Sequence, residues 1–438
     1  MSYLLLCLRQ FLTIYRWGTR YDHGDEGIRR SLLDFAVQKL LCGQLDRPLS
    51  DAQMYAVLSQ RLALDINTPQ YLFNSGSPLD SMRTMHEQIA NHMRVCVAVG
   101  DGIESLRGIA PSEPILSEAA SHIMLSDQFS LYRALSLVLT GFSINQGDRG
   151  ELLVAAFFTW ARDQVVSNRL PRPRGQLCYY FSVHDLFSFL FSKSTFTSML
   201  GDSPSLCHTK TQPQFGDVFQ RAMMHYNHMI KPQSRKLVAR RFLLYYMTRG
   251  ASALGANCQP GFDAVYPFLY DSLDLNVRNI GFIIVQVKND SNLARSEDVN
   301  LFRKMDPFKC GLLNESDKED GRFPIPLIRI VFSLAGTTDP HLTRAVYKEP
   351  SDGAETLGTD GRPLFTSYDY ICSGMSDTIL QPVKGSQGAW EALANTRDQW
   401  KDFYDVPMPS VLRSQLPGCG EDEAHFGSWL GATVFPSS

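Results

Sequence analysis

Residues 257–290 read NCQPGFDAVYPFLYDSLDLNVRNIGFIIVQVKND and decide the fold. A Pro-Gly turn precedes an acidic residue and an apolar run, and a polar loop then leads into a second apolar run that ends in Gln-Val-Lys. The two runs have the composition of strands, and the loop between them predicts an antiparallel hairpin. If the chain reverses near residues 275 and 276, Asp263 faces Lys288.

The second strand of this hairpin is expected to have one face that ends in polar groups. Because successive side chains of a strand point to opposite sides, Gln286 and Lys288 share a face with Phe282 and Ile284. Buried polar groups need partners, so these two residues imply a compensating site beside Asp263. The alternative is structural: Asp263 caps a turn and forms an ordinary ion pair with Lys288, while Gln286 is a buried hydrogen-bonding amide.

The composition indicates an ordinary folded protein of two or three domains. The chain has 438 residues, of which 44% are hydrophobic. A net charge of −3 argues against a uniformly basic protein that coats nucleic acid. Nine cysteines without a CxxC pair indicate reduced thiols, and therefore an intracellular protein of the nucleus or cytoplasm.

No stretch of the sequence predicts a membrane span. Residues 3–15, YLLLCLRQFLTIY, are interrupted by Arg9 and lack the flanks of a signal peptide, so we interpret them as a helix. The longest later apolar run, residues 152–161, is far shorter than the roughly 20 residues that a membrane-spanning helix needs. We therefore expect a soluble protein without a membrane partner.

The first third of the chain predicts helices. Apolar residues recur at helical spacing from about residue 26 onward, and Ser50 with Gln53 forms a capping box. We predict an all-helical N-terminal region over residues 1–145, with its third helix at about 81–99. After a turn at residues 147–150, a further helix is expected to begin near Glu151. That carboxylate is either a charge that favours the helix N-terminus or an acid that belongs to a site.

Positive charge is concentrated between residues 151 and 250, where 13 Lys and Arg stand against 5 Asp and Glu. Residues 229–250 contain no acid and predict a basic helix. Such a helix provides a surface for phosphate, although a solvated helix face is an equally valid interpretation. The candidate nucleic-acid-binding residues are Lys231, Arg235, Lys236, Arg240, Arg241 and Arg249.

A histidine pair lies just before this basic segment. His225 and His228 have a spacing that metal ions sometimes use, but no third ligand is near them in the sequence. The surrounding residues 176–228 predict helices. We therefore interpret both histidines as part of a helix surface.

The remaining sequence completes an α+β (mixed α/β) protein. Residues 292–305 predict a helix, and residues 325–335, IPLIRIVFSLA, predict a buried strand. A further strand at 365–372 and a helix near 390–403 follow. We predict a core over residues 146–404 with a helical insertion at 165–250, and an acidic surface tail at 405–438.

This order of elements resembles the core of the PD-(D/E)XK nucleases, the restriction-endonuclease-like αβββαβ fold. The resemblance implies that Glu151 is the helix acid, Asp263 the main metal ligand, Gln286 the second ligand and Lys288 the catalytic lysine. It also implies Mg²⁺ as the cofactor. Two features depart from the family: an amide replaces its usual carboxylate at Gln286, and Gly261 and Phe262 separate Pro260 from Asp263.

The chemistry of phosphodiester hydrolysis agrees with these residue types. A hard cation polarises the phosphoryl oxygen and lowers the pKa of a water molecule, and carboxylate oxygens are suitable ligands for Mg²⁺. A lysine stabilises the negative charge that develops. The alternative is a non-catalytic scaffold, or a module that binds nucleic acid or protein on a degenerate nuclease fold. The sequence contains no GxSxG, GxxxxGK[ST] or HExxH motif that would indicate another enzyme class.

The chain from about residue 50 to 400 is also similar to uncharacterised proteins of mushroom-forming fungi. These proteins are often longer at the N-terminus, so Met1 is expected to lie part-way into a larger arrangement of domains. The blocks that carry the similarity are SEPILSEAA at 112–120, GDRGELL at 147–153, CQPGFDA at 258–264, VQVKND at 285–290 and IRIVFSLAG at 328–336.

Overall fold

The computed structural model shows an α+β protein, which confirms the predicted class. The residues that it describes are 26–45, 47–64, 66–67, 78–99, 106–141, 146–168, 180–208, 212–232, 234–256, 259–288, 300–318, 325–334 and 340–395. The predicted helix at residues 3–15 and the predicted tail at 405–438 lie outside the described residues.

The N-terminal region contains helices and a small sheet, so the prediction that it is all-helical is wrong. Residues 95–99, expected to end the third helix, form a strand, because that helix ends at Asn91 and residues 95–99 pair with residues 106–109. The elements are α1 Glu26–Leu41, α2 Asp51–Leu62, β1 Ile66–Asn67, α3 Pro78–Asn91, β2 Val95–Val99, β3 Leu106–Ile109, α4 Pro114–Met124 and α5 Leu131–Gly141.

The middle of the chain is less helical than its sequence predicts. The basic segment 229–250 is a short strand, a 3-10 turn at Arg235–Val238 and a helix, because part of it pairs with the central sheet. The elements are α6 Gln146–Asn168, β4 Phe181–Ser182, α7 Val183–Leu190, α8 Lys193–Leu200, α9 Phe215–Phe219, β5 Ala222–Met224, β6 His228–Ile230, α10 Arg240–Thr248 and β7 Ala251–Leu254.

The last part of the described chain contains the hairpin and the predicted buried strand. The elements are β8 Ala264–Tyr270, β9 Ile280–Lys288, α11 Asn300–Lys304, α12 Glu315–Lys318, β10 Leu327–Ser333, β11 His341–Arg344, α13 Pro350–Gly353, β12 Ser367–Ser373 and α14 Gln387–Asn395. All seven residues of β10 are buried, as expected for an apolar strand in the middle of a sheet.

A nine-stranded sheet forms the centre of the molecule. Its main order is β11-β12-β10-β9-β8-β5-β4, and β7 pairs with both β8 and β6. Strands β7, β8 and β9 are antiparallel neighbours, whereas β10 runs parallel to both β9 and β12. The expected order of helix, three antiparallel strands, helix and parallel strand is therefore present in α6, β7 to β9, α11 and β10.

The hairpin forms, but its register differs from the prediction by two residues. Ala264 pairs with Val285, so Asp263 lies beside Gln286 and not beside Lys288. The reversal comes early because Asp271 takes a left-handed backbone directly after β8, with φ 59°, and a 3-10 turn at Val277–Asn279 precedes β9. A shift of two residues leaves every side chain on its predicted face.

The sheet separates two hydrophobic cores. Ile283, Val285 and Val287 belong to the larger core, which α6 covers with Phe157 and Phe158. Phe282 and Ile284 belong to the smaller core, which contains residues of α10 and α11. Among the described residues, no helix is long and apolar enough to cross a membrane.

Candidate functional site

The candidate site begins where β8 and β9 separate, and Asp263 occupies this point. The backbone N–H of Asp263 donates to the carbonyl of Val285 at 2.8 Å. One oxygen of its carboxylate, Oδ2, accepts the backbone N–H of Val287 at 2.6 Å. The side chain therefore replaces a backbone partner at the end of the ladder, and this bond fixes the carboxylate between Gln286 and Lys288.

Gln286 carries a buried oxygen that needs a partner. The side chain is 7% exposed, and its Oε1 has no hydrogen-bond partner among the described residues. The same holds for the Oγ of Ser333, which lies directly beside Lys288 in the register of β9 and β10. Since an unpaired buried polar group costs free energy, water or another group has to satisfy these two oxygens.

Lys288 ends β9 and is half-buried. By the alternation of the strand, its side chain leaves the sheet on the face of Gln286, Ile284 and Phe282. The structure thus brings Asp263, Gln286 and Lys288 to one end of the β8 and β9 pair. The prediction did not include Ser333, although it is the small polar residue at the end of the apolar strand IRIVFS.

Glu151 lies on a different layer from these three residues. Helix α6 begins at Gln146, so residues 147–150 are helical instead of a turn, and Glu151 is in the second turn of the helix. Phe158 of α6 stacks on Tyr266 and lies edge-on to Phe332. This helix therefore covers the face of the sheet opposite to that of Gln286 and Lys288.

The donor set fits a weakly held hard cation. Asp263 contributes a carboxylate, one oxygen of which accepts the Val287 N–H, and Gln286 contributes an amide oxygen. Magnesium is often held by one or two carboxylates together with water and substrate phosphate. Within the part of the chain that the structure describes, no group of three or more His, Cys, Asp or Glu could hold a metal ion. A cation bound by Asp263 and Gln286 would therefore need water or substrate phosphate as its remaining ligands.

Five of the six predicted nucleic-acid-binding residues are exposed, and Arg240 is the exception. Its guanidinium donates to the carbonyls of Ile280 and Arg278 and forms an ion pair of 3.1 Å with Asp317. Arg240 thereby connects α10 to the start of β9. The exposed residues are Lys231, Arg235, Lys236, Arg241 and Arg249.

The two histidines of the sequence pair do not lie on a helix surface. His228 begins β6 and is buried, with Nε2 at 2.7 Å from the Oγ of Ser112 and Nδ1 at 2.6 Å from the Oδ1 of Asn227. His225 contacts the carbonyl of Met247 through Nδ1. The interpretation of His228 as helix surface is wrong, because His228 begins a buried strand that pairs with β7.

The described cysteines are free thiols, and two of them are deeply buried. Burial is the main reason that the pKa values of Cys310 and Cys372 are raised to about 12. Both thiols therefore stay protonated near neutral pH and have little nucleophilic character.

Fold and site together define an α+β protein whose central sheet ends in a cluster of an acid, an amide and an amine. The model of the family described as Domain of unknown function (DUF8736) matches residues 53–321. This match covers more than half of the chain, and the chain belongs to that family. The matched region includes Asp263, Gln286 and Lys288 and ends before β10. No curated protein and no solved structure matches the chain.

Proposed function

We propose that the chain is a metal-dependent nuclease-like protein that hydrolyses phosphodiester bonds of DNA or RNA. The observation that carries the proposal is the arrangement at the end of β9. There the Asp263 carboxylate is held by the Val287 N–H, beside a buried Gln286 oxygen without a partner among the described residues. The order of the surrounding helices and strands supports a PD-(D/E)XK-like core. The likeness to fungal proteins remains a prediction.

Each residue has a separate role in this proposal. Asp263 and Gln286 would hold Mg²⁺, which would supply polarisation of a phosphoryl oxygen and a lower pKa of a water molecule. Lys288 stabilises the negative charge that develops on the phosphate. Glu151 is proposed as a further ligand. Because α6 covers the face of the sheet opposite to Gln286 and Lys288, Glu151 would have to approach the cation past the end of the strands.

A non-catalytic scaffold is the second candidate, and one observation favours it. The carboxylate of Asp263 already accepts a backbone hydrogen bond that closes the end of the hairpin, so the residue has a structural task without any metal. In this case the same sheet binds nucleic acid or protein without hydrolysis.

A cleavage assay with magnesium titration tests the nuclease proposal. We expect Mg²⁺-stimulated cleavage of single-stranded, duplex or branched nucleic acid, and a loss of about 10²–10³-fold in rate for Lys288→Ala. The matched control is Lys348→Ala, because Lys348 is an exposed lysine far along the sequence from the site. Wild-type protein that cleaves none of these substrates at any metal concentration contradicts the proposal.

The variant Gln286→Glu separates the two candidates. A second carboxylate raises the affinity of a real Mg²⁺ site, so the nuclease reaches half-maximal rate at a lower magnesium concentration. In a scaffold the same change places an uncompensated charge in a buried position and only lowers the free energy of unfolding. Thermal unfolding with and without Mg²⁺ distinguishes these results, since only a metal site is stabilised by the ion.

A further inference from the structure

An exposed aromatic ring lies between two arginines in sequence, with Arg241 and Tyr245 on α10 and Arg249 capping the end of that helix. Arg241, Tyr245 and Arg249 follow one another at intervals of four residues and are all exposed, and Tyr245 is 67% exposed. Leu243 and Met247 point the other way into the smaller core. Residues four apart on a helix are neighbours separated by about 6 Å along the axis. Arg241 and Tyr245 are therefore neighbours on α10, and Arg249 follows directly after the last turn of the helix.

The chain segment that contains these residues is rich in positive charge, although the buried carboxylate of Glu113 interacts electrostatically with Arg249. No acidic residue occurs between residues 229 and 250 of the sequence, and three more exposed cations precede the helix. We call the following set the basic surface: Lys231, Arg235, Lys236, Arg241, Tyr245 and Arg249. Arg240 is excluded from it, because its side chain is only 13% exposed and its charge is paired with Asp317.

Both flanking guanidinium groups are held in place. The guanidinium of Arg241 lies over the ring of Phe242, 4.8 Å from its centre. Arg249 donates to the backbone carbonyl of Ser112, and its Nε lies 3.4 Å from the Oγ of the same residue. Positive groups that are already ordered lose less conformational entropy when they bind phosphate.

We propose that the basic surface binds an unpaired strand of nucleic acid, with one base stacked on Tyr245 and phosphates beside Arg241 and Arg249. This inference rests on the proposed function and names its substrate class. The aromatic ring decides between paired and unpaired strands. In a duplex the neighbouring pairs cover both faces of each base, whereas an unpaired base offers its face to a ring. The cations alone bind either form through phosphate.

The basic surface and the candidate site lie on the same side of the sheet. The buried face of α10 packs in the core that contains Phe282 and Ile284, and Gln286 and Lys288 continue that face of β9. Arg240, at the start of α10, donates to the carbonyl of Ile280. Lys288 is eight residues further along β9, which is about 26 Å at the rise of a strand.

Fluorescence anisotropy on the full chain in EDTA tests this proposal. The probes are a labelled 20-nucleotide thymidine strand and its duplex with a complementary strand. We expect Tyr245→Ala to weaken binding of the single strand by about 5- to 150-fold and to leave duplex binding unchanged. Tyr245→Phe keeps the ring and retains the affinity. Val346→Ala is the control, because Val346 is 74% exposed and lies outside the basic surface.

Salt dependence gives a second measurement of the same contact. For a single strand, loss of one phosphate contact in Arg241→Gln lowers the slope of log affinity against log salt by about 0.7. The proposal is overturned if Tyr245→Ala weakens single strand and duplex equally, or if Phe and Ala variants lose the same affinity. It is also overturned if the protein binds vesicles with phosphatidylserine but neither oligonucleotide.

Failure of this proposal is distinguishable from failure of the nuclease proposal. Binding in EDTA requires neither a metal nor cleavage, so Lys288→Ala binds the single strand as wild type does. A protein that binds the strand through Tyr245 but never cleaves it supports the basic surface and contradicts the nuclease. If the Tyr245→Ala variant cleaves normally and binds the single strand as wild type does, the proposal for Tyr245 is contradicted and the nuclease proposal is not.

Discussion

At the scale of single residues, His228 shows how hydrogen bonds determine a protonation state. The Nδ2 group of Asn227 donates to the carbonyl of Pro114 and to Glu118, which leaves its Oδ1 facing His228. Nδ1 of the imidazole therefore carries the proton, and Nε2 accepts from the hydroxyl of Ser112. Burial, followed by the charges of Arg61 and Arg249, lowers the pKa of His228 to about 3.

This histidine predicts a loss of stability in mild acid. The pKa of His228 in the folded chain lies below the ordinary value of 6.5. Between about pH 3 and pH 6.5, His228 is therefore protonated in the unfolded chain and neutral in the folded chain. The free energy of unfolding therefore falls as the pH drops below about 6.5, by about 2 kcal/mol at pH 5. Urea unfolding at several pH values measures it. His228→Gln removes the titration, and an identical pH dependence in wild type and variant contradicts the assignment.

At the scale of elements, the turn before β8 sets the position of Asp263. Gly261 has a left-handed backbone, with φ 83°, and a Cβ at this position would overlap the carbonyl oxygen of Lys304 and the sulfur of Cys310. The turn therefore packs closely against α11, and only glycine fits. The Pro-Gly pair of the sequence indicated a turn, but the contact with α11 depends on residues about 40 positions further along.

We expect Gly261→Ala to lower the free energy of unfolding by about 2–4 kcal/mol, since both backbone strain and overlap contribute. The control is Gly311→Ala. Gly311 has a similar φ of 78°, but nothing lies within 4 Å of its Cβ position, so only the strain of about 1–2 kcal/mol applies. Chemical denaturation of both variants measures the difference. Equal losses contradict the close packing of the turn.

At the scale of the whole molecule, buried charges join the N-terminal helices to the central sheet. Arg61 of α2 forms two hydrogen bonds with Asp163 of α6, at 2.8 and 3.0 Å, and also donates to the carbonyl of Asn227. Arg162 forms ion pairs with Asp163 at 2.9 Å and with Glu118 of α4 at 2.8 Å. Burial acts to raise the pKa of Asp163, but Arg61 and Arg162 outweigh it and lower the value.

This network predicts that the described parts of the chain unfold together. Removal of Arg61 leaves the carboxylates of Asp163 and Glu118 to share the guanidinium of Arg162, so we expect Arg61→Met to lower the free energy of unfolding by about 3–5 kcal/mol. Arg133→Ala is the control, because the Arg133 and Asp51 pair is exposed and contributes at most about 1 kcal/mol. Fluorescence and circular dichroism report the transition, and two separate transitions in wild type contradict the prediction.

Local pattern in the sequence was enough to predict much of the central fold. The apolar run of β10, the hairpin of β8 and β9 and the helix that contains Glu151 were all predicted, because apolar periodicity and turn residues report local structure directly. The face of the sheet on which Gln286 and Lys288 lie was also predicted, because a register error of two residues does not move a side chain to the opposite face. The residues of the candidate site came from a short motif rather than from periodicity.

Strand pairing and buried polar contacts depended on the tertiary structure. Strands β2 and β3 were missed because their short sequences become strands only by pairing with each other. His228 became buried because β6 adds to the sheet, and Ser333 entered the site because β10 lies beside Lys288. Periodicity records which side of an element is apolar, but it does not record which distant residues share a pocket. The sequence alone therefore determined the class of fold and the candidate residues, whereas only the tertiary structure separated Glu151 from Asp263, Gln286 and Lys288.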